Sequence, residues 1–179
     1  MRNTIIASAA ALFIGGASVL TLAVPAFAAT ASDTPVTVVV AGGDLTISAP
    51  TGPVNLGSVV TSANAQTVSA LLGNVAVTDN RGGTAGWTAT VSATNFTGPQ
   101  TISTTVSGLV VYTAPQAAVT GSAIVAPSSQ STLNPGGPVQ NATNVYGDNT
   151  ATWDPTIAVT IPANALAGTD STSITHSVS

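Results

Sequence analysis

Apolar side chains that alternate with polar ones at a period of two residues are the feature that most constrains this chain. The pattern is clearest around a Gly-rich segment: Val75 and Val77 share one face before it, and from Trp87 to position 93 every second residue is Trp, Ala or Val. Period two is typical of a half-buried β-strand. The segment between carries an Asp-Asn pair and three glycines, which tolerate turn geometry, so residues 72–97 are predicted to form a β-hairpin.

Other short segments show the same alternation. Residues 36–40 and 45–48 flank two glycines and predict a second hairpin, while 157–161 and 174–178 predict two strands near the C-terminus. Residues 102–106, with Ile, Thr and Val at alternate positions, predict another strand.

Two irregular segments interrupt this pattern. The apolar positions change parity at Gly73-Asn74, and an extra residue there would restore them to the same face, which predicts a β-bulge. Residues 126–138 are rich in Pro, Gly and Ser, a composition that predicts a surface loop between strands.

The fold class follows from the whole set of segments. After residue 28 no stretch has the periodicity of an amphipathic helix, and the apolar segments are separated by clusters of Gly, Pro, Asn and Asp. About eight to ten short strands without intervening helices predict an all-β fold, an antiparallel β-sandwich of the immunoglobulin-like or Greek-key type.

The first 28 residues have the pattern of a secretory signal peptide. Arg2 is followed by an apolar stretch and then by the small-x-small site Ala26-Phe27-Ala28. We therefore expect cleavage after Ala28, leaving residues 29–179 as a single secreted domain. No later segment is long and apolar enough to span a bilayer, so no membrane span is expected after cleavage.

Charge excludes several classes of partner. The expected mature chain has Arg81 as its one Lys or Arg residue, against six Asp, and it has no Cys. Nucleic-acid binding needs several cations that displace the counterions on phosphate, so we expect no nucleic-acid partner. The same shortage argues against electrostatic docking on anionic lipid. The fold is expected to hold without disulfides, by packing and hydrogen bonds.

The candidate chemistry is sparse. His176 is the only imidazole that could act as a base, and it lies in phase with Ile174 and Val178 in the last predicted strand. We expect a hydrogen-bonded structural histidine at the interior or its margin; a hydrolase role for His176 is the alternative, which no Gly-x-Ser-x-Gly motif accompanies. The Asp residues stand in turn-like contexts without metal-site spacing. No enzymatic activity, metal or cofactor is therefore expected.

Arg81 and the aromatic residues remain as binding candidates. Arg81 stands two residues after Asp79 and is expected to pair with it; contact with a ligand carboxylate or phosphate is the alternative. Trp87 and Trp153 are in phase with core positions of their strands, so their indoles are expected to be buried. Tyr146, in the loop-like segment Asn-Val-Tyr-Gly-Asp-Asn, is expected to be the exposed ring.

Two blocks of sequence carry a resemblance to a known family. The motif Thr-Asp-x-Arg-Gly at 78–82, followed by Gly-Trp-Thr at 86–88 and by the segment 151–179, resembles a diverged branch of the WxL-domain family of secreted Gram-positive surface proteins. Trp87 matches the tryptophan of the first W-x-L motif, with Ala89 where leucine is usual. In the distal motif Trp153 stands at an aromatic position, and the expected Trp and Leu are replaced by Val159 and Ile161.

The resemblance implies a β-rich domain without enzymatic activity that associates non-covalently with peptidoglycan, often beside other surface proteins. The predicted function is therefore a secreted, cell-wall-associated module that binds peptidoglycan or wall polymer, with Arg81, Trp87, Tyr146 and Trp153 as candidate contact residues. The alternative is a structural or assembly subunit that docks on other surface proteins through open β-edges, because the chain has no Lys, a common protection against edge pairing.

Overall fold

The computed structural model describes residues 31–179, and the predicted signal peptide, residues 1–28, lies outside this range. The described residues form ten β-strands and no helix. All ten strands lie within the unit from Val39 to Ser179. Their bounds are β1 (Leu45–Ser48), β2 (Gln66–Leu71), β3 (Val75–Asp79), β4 (Trp87–Ala93), β5 (Val110–Thr113), β6 (Ala118–Pro127), β7 (Ser129–Gln130), β8 (Gly137–Trp153), β9 (Thr156–Ile161) and β10 (Ile174–Val178). No helix that could cross a membrane occurs among residues 31–179.

The strands form two sheets, and every pairing is antiparallel. Sheet I contains β1, β3, β4, β6, β8 and β10, and sheet II has the order β2-β9-β5-β7. Inward residues of both sheets form one apolar core, which includes both tryptophans and the alternating residues of β3, β4 and β9. The predicted all-β antiparallel fold is confirmed.

Strand β8 is the centre of sheet I. It is 17 residues long and pairs with β6 along one edge. Along its other edge, residues 137–142 pair with β4 and residues 149–153 pair with β3. Because β3 and β4 both run antiparallel to β8, the chain keeps its direction from one to the other. The two strands are therefore collinear along the edge of β8, and the loop 80–86 separates them.

The predicted hairpin over 72–97 is therefore wrong. Its two arms exist as β3 and β4, but each pairs with β8 and not with the other. Alternation identifies which side chains face the core, and that part of the prediction holds. It does not identify the neighbouring strand, since a long partner from elsewhere in the chain satisfies the same backbone groups.

The predicted bulge at Gly73-Asn74 is also wrong. Strand β2 belongs to sheet II and β3 to sheet I, so the chain passes here from one sheet to the other. Gly73 makes this connection with a φ of 92°, a region that favours glycine. The apolar parity changes because the inward faces of the two sheets meet the core from opposite sides.

The N-terminal hairpin prediction fails at its first arm. Residues 45–48 form β1, which pairs with β3, whereas residues 36–40 lie outside every strand. The two C-terminal predictions are confirmed as β9 and β10, which lie in different sheets. Local alternation again marks strand-forming segments more reliably than their partners.

Two further segments differ from prediction. Residues 102–106 contribute an isolated bridge, Phe96 with Ile102, in place of a strand. The predicted surface loop 126–138 includes the end of β6, the short β7 and the start of β8. Leu133, within it, is 0% exposed: its N–H donates to the Thr104 carbonyl at 2.9 Å, and its own carbonyl accepts the Ala93 N–H at 2.7 Å. These long-range bonds place the Leu133 side chain in the core. The Pro, Gly and Ser residues around it had predicted a surface loop instead.

Candidate functional site

The loop 80–86 begins at a partly buried ion pair. Asp79, the last residue of β3, is only 2% exposed, and its carboxylate accepts hydrogen bonds from Arg81 Nε at 2.9 Å and Nη2 at 3.0 Å. The backbone N–H of Arg81 also donates to Asp79 Oδ1, at 3.1 Å. The sequence-based expectation of an Arg81–Asp79 pair is thus confirmed, in a two-point geometry that adds orientation to charge.

Arg81 also holds the far end of the loop. Its Nη2 also lies 3.1 Å from the carbonyl oxygens of Ala85 and Gly86, and because this nitrogen has two N–H groups for three acceptors, one N–H is shared. One guanidinium therefore connects the residue that ends β3 with the two residues that precede β4. Backbone bonds from the Gly43 N–H to the Asn80 carbonyl and from the Gly147 N–H to the Gly83 carbonyl hold the same loop from outside.

A chain of hydrogen bonds continues from the ion pair into the core. The amide of Asn149 on β8 donates to Asp79 Oδ2 at 3.4 Å, and its Oδ1 accepts the indole N–H of Trp87 at 3.0 Å. Asn149 and Trp87 are both buried. Buried polar groups are costly unless they are paired, and here each has a partner. The motif residues Asp79, Arg81 and Trp87 thus belong to one hydrogen-bonded chain.

The ion pair shifts the acidity of both partners. The hydrogen bond from Arg81 holds the pKa of the Asp79 carboxyl below its usual value, against the opposing effect of burial. The same hydrogen bond raises the pKa of Arg81. Both groups stay charged at neutral pH, and their charges offset each other within the loop.

An irregular part of strand β8 lies against this loop. Asn144 and Gly147 have positive φ values of 52° and 72°, and the Gly147 N–H donates to the Gly83 carbonyl at 2.9 Å. The loop predicted around Tyr146 is therefore wrong, since these residues belong to β8 with shifts in its register to β6, but Tyr146 is 76% exposed, as expected from the sequence. We call residues 80–86 and 144–148 the paired-loop surface. The fold thus brings the Arg81 loop and the Tyr146 segment together from positions far apart in the chain.

A shallow depression adjoins the paired-loop surface. It has a volume of about 190 Å³ and is lined by Asn80, Thr120, Gly121, Asp148, Asn149 and Thr150. Although polar residues line it, its accessible surface is mostly apolar. Its size suits a single ring.

A second hydrogen-bonded chain contains the other tryptophan. The indole N–H of Trp153 donates to Tyr112 Oη at 3.2 Å, and Tyr112 Oη lies 3.0 Å from His176 Nε2. Burial raises the pKa of Tyr112 to about 12 and lowers that of His176. A neutral imidazole nitrogen can accept a hydrogen bond from the phenol, so this chain runs from indole to phenol to imidazole. His176 is the hydrogen-bonded histidine expected from the sequence.

A larger cleft runs along one side of the domain. It has a volume of about 1380 Å³ and lies among β2, β9, β10 and the loop 50–62, with His176 in its lining. Apolar side chains of β2 and β9, including Val68 and Ile161, face it and are only partly buried. The cleft is therefore a place where the apolar core is incompletely covered.

The four predicted contact residues separate into two groups. Trp87 and Trp153 are buried and use their N–H groups internally, so neither presents a ring face to a ligand. Tyr146 is exposed and Arg81 is partly exposed. Asn149 and Tyr112 complete the two hydrogen-bonded chains. Sequence reasoning missed them as site residues, because no local pattern marks a polar residue whose partner is about 40 to 70 positions away.

Comparison with models of protein families, with curated proteins and with solved structures found no match. The resemblance to WxL domains therefore stays a prediction. Within residues 31–179, no three His, Asp or Glu side chains are grouped so that they could hold a metal ion.

Proposed function

We propose that this chain is a secreted, non-catalytic cell-surface module that binds peptidoglycan or an attached wall polymer non-covalently. The observation that carries the proposal is the paired-loop surface, where exposed Tyr146 lies beside the loop 80–86. A chain of hydrogen bonds joins this loop to the core through Arg81, Asp79, Asn149 and Trp87. A ligand surface of this kind is preorganised, because its order is established before the ligand arrives.

The chemistry of the surface suits a glycan chain. A sugar ring has an apolar face of C–H groups and a rim of hydroxyls, and an exposed tyrosine offers an apolar ring together with a polar tip. Asn80, Thr120 and Asp148 line the adjoining depression, whose accessible surface is mostly apolar and suits the C–H face of a sugar. An exposed ring beside such a depression supports recognition of a glycan chain through its apolar faces.

Charge has a small part in the proposed binding. Charged residues make up 4% of the chain, and the charge of Arg81 is offset by Asp79 at 2.9 Å. Electrostatic attraction between exposed charges weakens as salt is added, whereas stacking and neutral hydrogen bonds do not depend on it in the same way. Binding to the wall should therefore persist at high salt.

The test is co-sedimentation with purified sacculi, prepared with and without attached wall polymers. The full chain is exported from a Gram-positive host, its N-terminus is read by mass spectrometry, and the pelleted fraction is measured over protein concentration and salt. We expect saturable pelleting that persists at high salt. Absence of pelleting from both preparations contradicts the proposal.

Matched variants locate the binding surface. Tyr146→Ala should weaken binding about tenfold, the scale of one lost stacking contact, while Tyr146→Phe retains the ring and should stay within about twofold. Val106→Ala changes an exposed apolar residue outside the paired-loop surface and serves as the control. Equal binding by Tyr146→Ala and the wild type would remove this surface from the proposal.

A further inference from the structure

Four valines near the start of the described chain are almost fully exposed. Val36, Val38, Val39 and Val40 are 88–91% exposed and lie outside every strand. Valine strongly favours β-strands, and a contiguous exposed run of this type is characteristic of an interaction site. We call residues 36–40 the valine arm. The arm has no charged residue.

The chain is held immediately after this arm. The Gly43 N–H donates to the Asn80 carbonyl at 2.6 Å, and a Cβ on Gly42 would overlap the Arg81 carbonyl oxygen. Glycine is needed at this close approach, since any side chain would displace the loop. The C-terminal end of the arm is thus anchored two to three residues further on, at Gly42 and Gly43.

Strand β2 is the acceptor best suited to another strand. In the described chain it pairs only with β9, in an unbroken register of six residues, and none of its residues is charged. The other outer strands are less open: β6 has two register irregularities, β7 has two residues, β1 has four, and β10, one residue shorter than β2, lies against β1. Bulges and short length both discourage edge pairing, and β2 has neither.

The cleft beside β2 offers a place for apolar side chains. Val68 of β2 and Ile161 of β9 line it and are only partly buried, and Leu72, the residue after β2, also lines it. A strand added to β2 would direct alternate side chains towards this cleft. Val36, Val38 and Val40 have that spacing, and Thr37 and Val39 would face solvent beside Thr67 and Ser69.

We propose that the valine arm of one copy adds as an extra strand to β2 of a second copy and covers its cleft. Main-chain hydrogen bonds supply the pairing, and the alternate valines supply the apolar contact. The interface is head to tail, so each copy retains a free arm or a free β2 and the assembly can grow beyond a dimer. This self-association is separate from wall binding. It gives the predicted docking through open β-edges a specific added strand, the valine arm, and a specific receiving strand, β2.

The first test is the oligomeric state of the exported full chain. Sedimentation velocity over a concentration series should show reversible species larger than a monomer. Val38→Asp places a charge in the proposed contact and should raise the dissociation constant by about tenfold or more, whereas Val106→Asp, at an exposed valine elsewhere, should not. A wild-type chain that stays monomeric at every concentration overturns the proposal, as does equal association of the two variants.

The second test identifies the pairing. The chain has no Cys, so single cysteines can be introduced without background. Val39→Cys and Ser69→Cys lie on the solvent side of the proposed pair, and a mixture of the two variants should form an intermolecular disulfide under mild oxidation. Mixing Val39→Cys with Val106→Cys is the control.

Other cross-linking outcomes contradict the proposal. If Val39→Cys instead links to Ser177→Cys, the acceptor is β10 and the assignment to β2 is wrong. A doubly substituted chain, Val39→Cys with Ser69→Cys, that forms its disulfide while remaining a monomer shows that the arm pairs within its own chain. Either result can be read from the mass of the linked product.

Discussion

The indole N–H of Trp87 donates to the side-chain oxygen of Asn149 at 3.0 Å. This bond spans the part of β8 between its pairing with β4 and its pairing with β3. Trp87 begins β4 and is paired in register with Ala142, whereas Asn149 is paired with Asp79 of β3. The bond therefore joins the two parts of sheet I that the loop 80–86 separates. It explains why Trp87 is more than a core residue: its one polar atom connects the core to the Arg81 loop.

A double-mutant cycle should detect this connection. Trp87→Phe removes the donor and Asn149→Ala removes the acceptor, and each should lower the free energy of unfolding by about 1–3 kcal/mol because a buried polar group loses its partner. Since both changes break the same bond, the double variant should fall short of additivity by about 0.5 kcal/mol or more. Urea denaturation measures all four proteins. Trp153→Phe combined with Asn149→Ala is the control, because Trp153 belongs to the other chain of hydrogen bonds, and that pair should be additive.

Removal of the Arg81 guanidinium should destabilise the domain. Arg81→Ala leaves the Asp79 carboxylate buried without its cation and should cost about 2 kcal/mol. Arg81→Lys should recover less than half, since an ammonium cannot bond to both carboxylate oxygens and two carbonyls in the same planar geometry. The exposed substitution Asp154→Asn should stay within about 0.5 kcal/mol. Full recovery by lysine would show that charge alone is sufficient.

The same pair predicts a specific acid response. The folded-state pKa of Asp79 is lowered from 3.8, so the pair stabilises the fold above about pH 4, and this contribution is lost as the pH falls through the folded pKa. Arg81→Ala should therefore lose less stability than the wild type on acidification below pH 4. Thermal unfolding midpoints at several pH values compare the two slopes, and parallel slopes would contradict the predicted linkage.

His176 should make stability depend on pH in a higher range. Burial lowers its pKa from 6.5, so the unfolded chain takes up a proton first as the pH falls. Stability should decrease below about pH 6.5 and continue to decrease down to the folded pKa of His176. In His176→Gln the glutamine oxygen can still accept a hydrogen bond from the Tyr112 hydroxyl but does not titrate, so the unfolding midpoint of this variant should be flat over this window. Because the chain has one His, an unchanged pH dependence in the variant would contradict this assignment directly.

Leu133 should behave as a core residue despite its turn-rich surroundings. Leu133→Ala creates a cavity at a fully buried position and should cost about 3 kcal/mol. Leu166→Ala, at a leucine that is 63% exposed, should change stability by less than about 0.5 kcal/mol. Chemical denaturation of the two variants side by side provides the comparison. A small effect at Leu133 would place this segment outside the cooperative core.

Much of the candidate site could be predicted from short-range patterns. Arg81 and Asp79 are two positions apart, so local chemistry was enough to predict the ion pair. The exposed ring of Tyr146 was also predicted, although its segment belongs to strand β8 and not to the expected loop. Asn149 was not predicted, because its partners Asp79 and Trp87 lie 70 and 62 positions away. Nothing in the residues around Asn149 distinguishes a buried amide from an exposed one.

The same division holds for the whole fold. The alternation of side chains determined that the domain is all-β and which faces of β3, β4 and β9 are buried, because every second side chain of a strand points to the same side whatever strand lies next to it. Strand partners were decided only by the tertiary structure. β3 and β4 both pair with β8, and the parity change at Gly73 marks a passage between sheets. Backbone hydrogen bonds are chemically alike along every strand, so the choice among partners depends on which arrangement packs all the buried faces together.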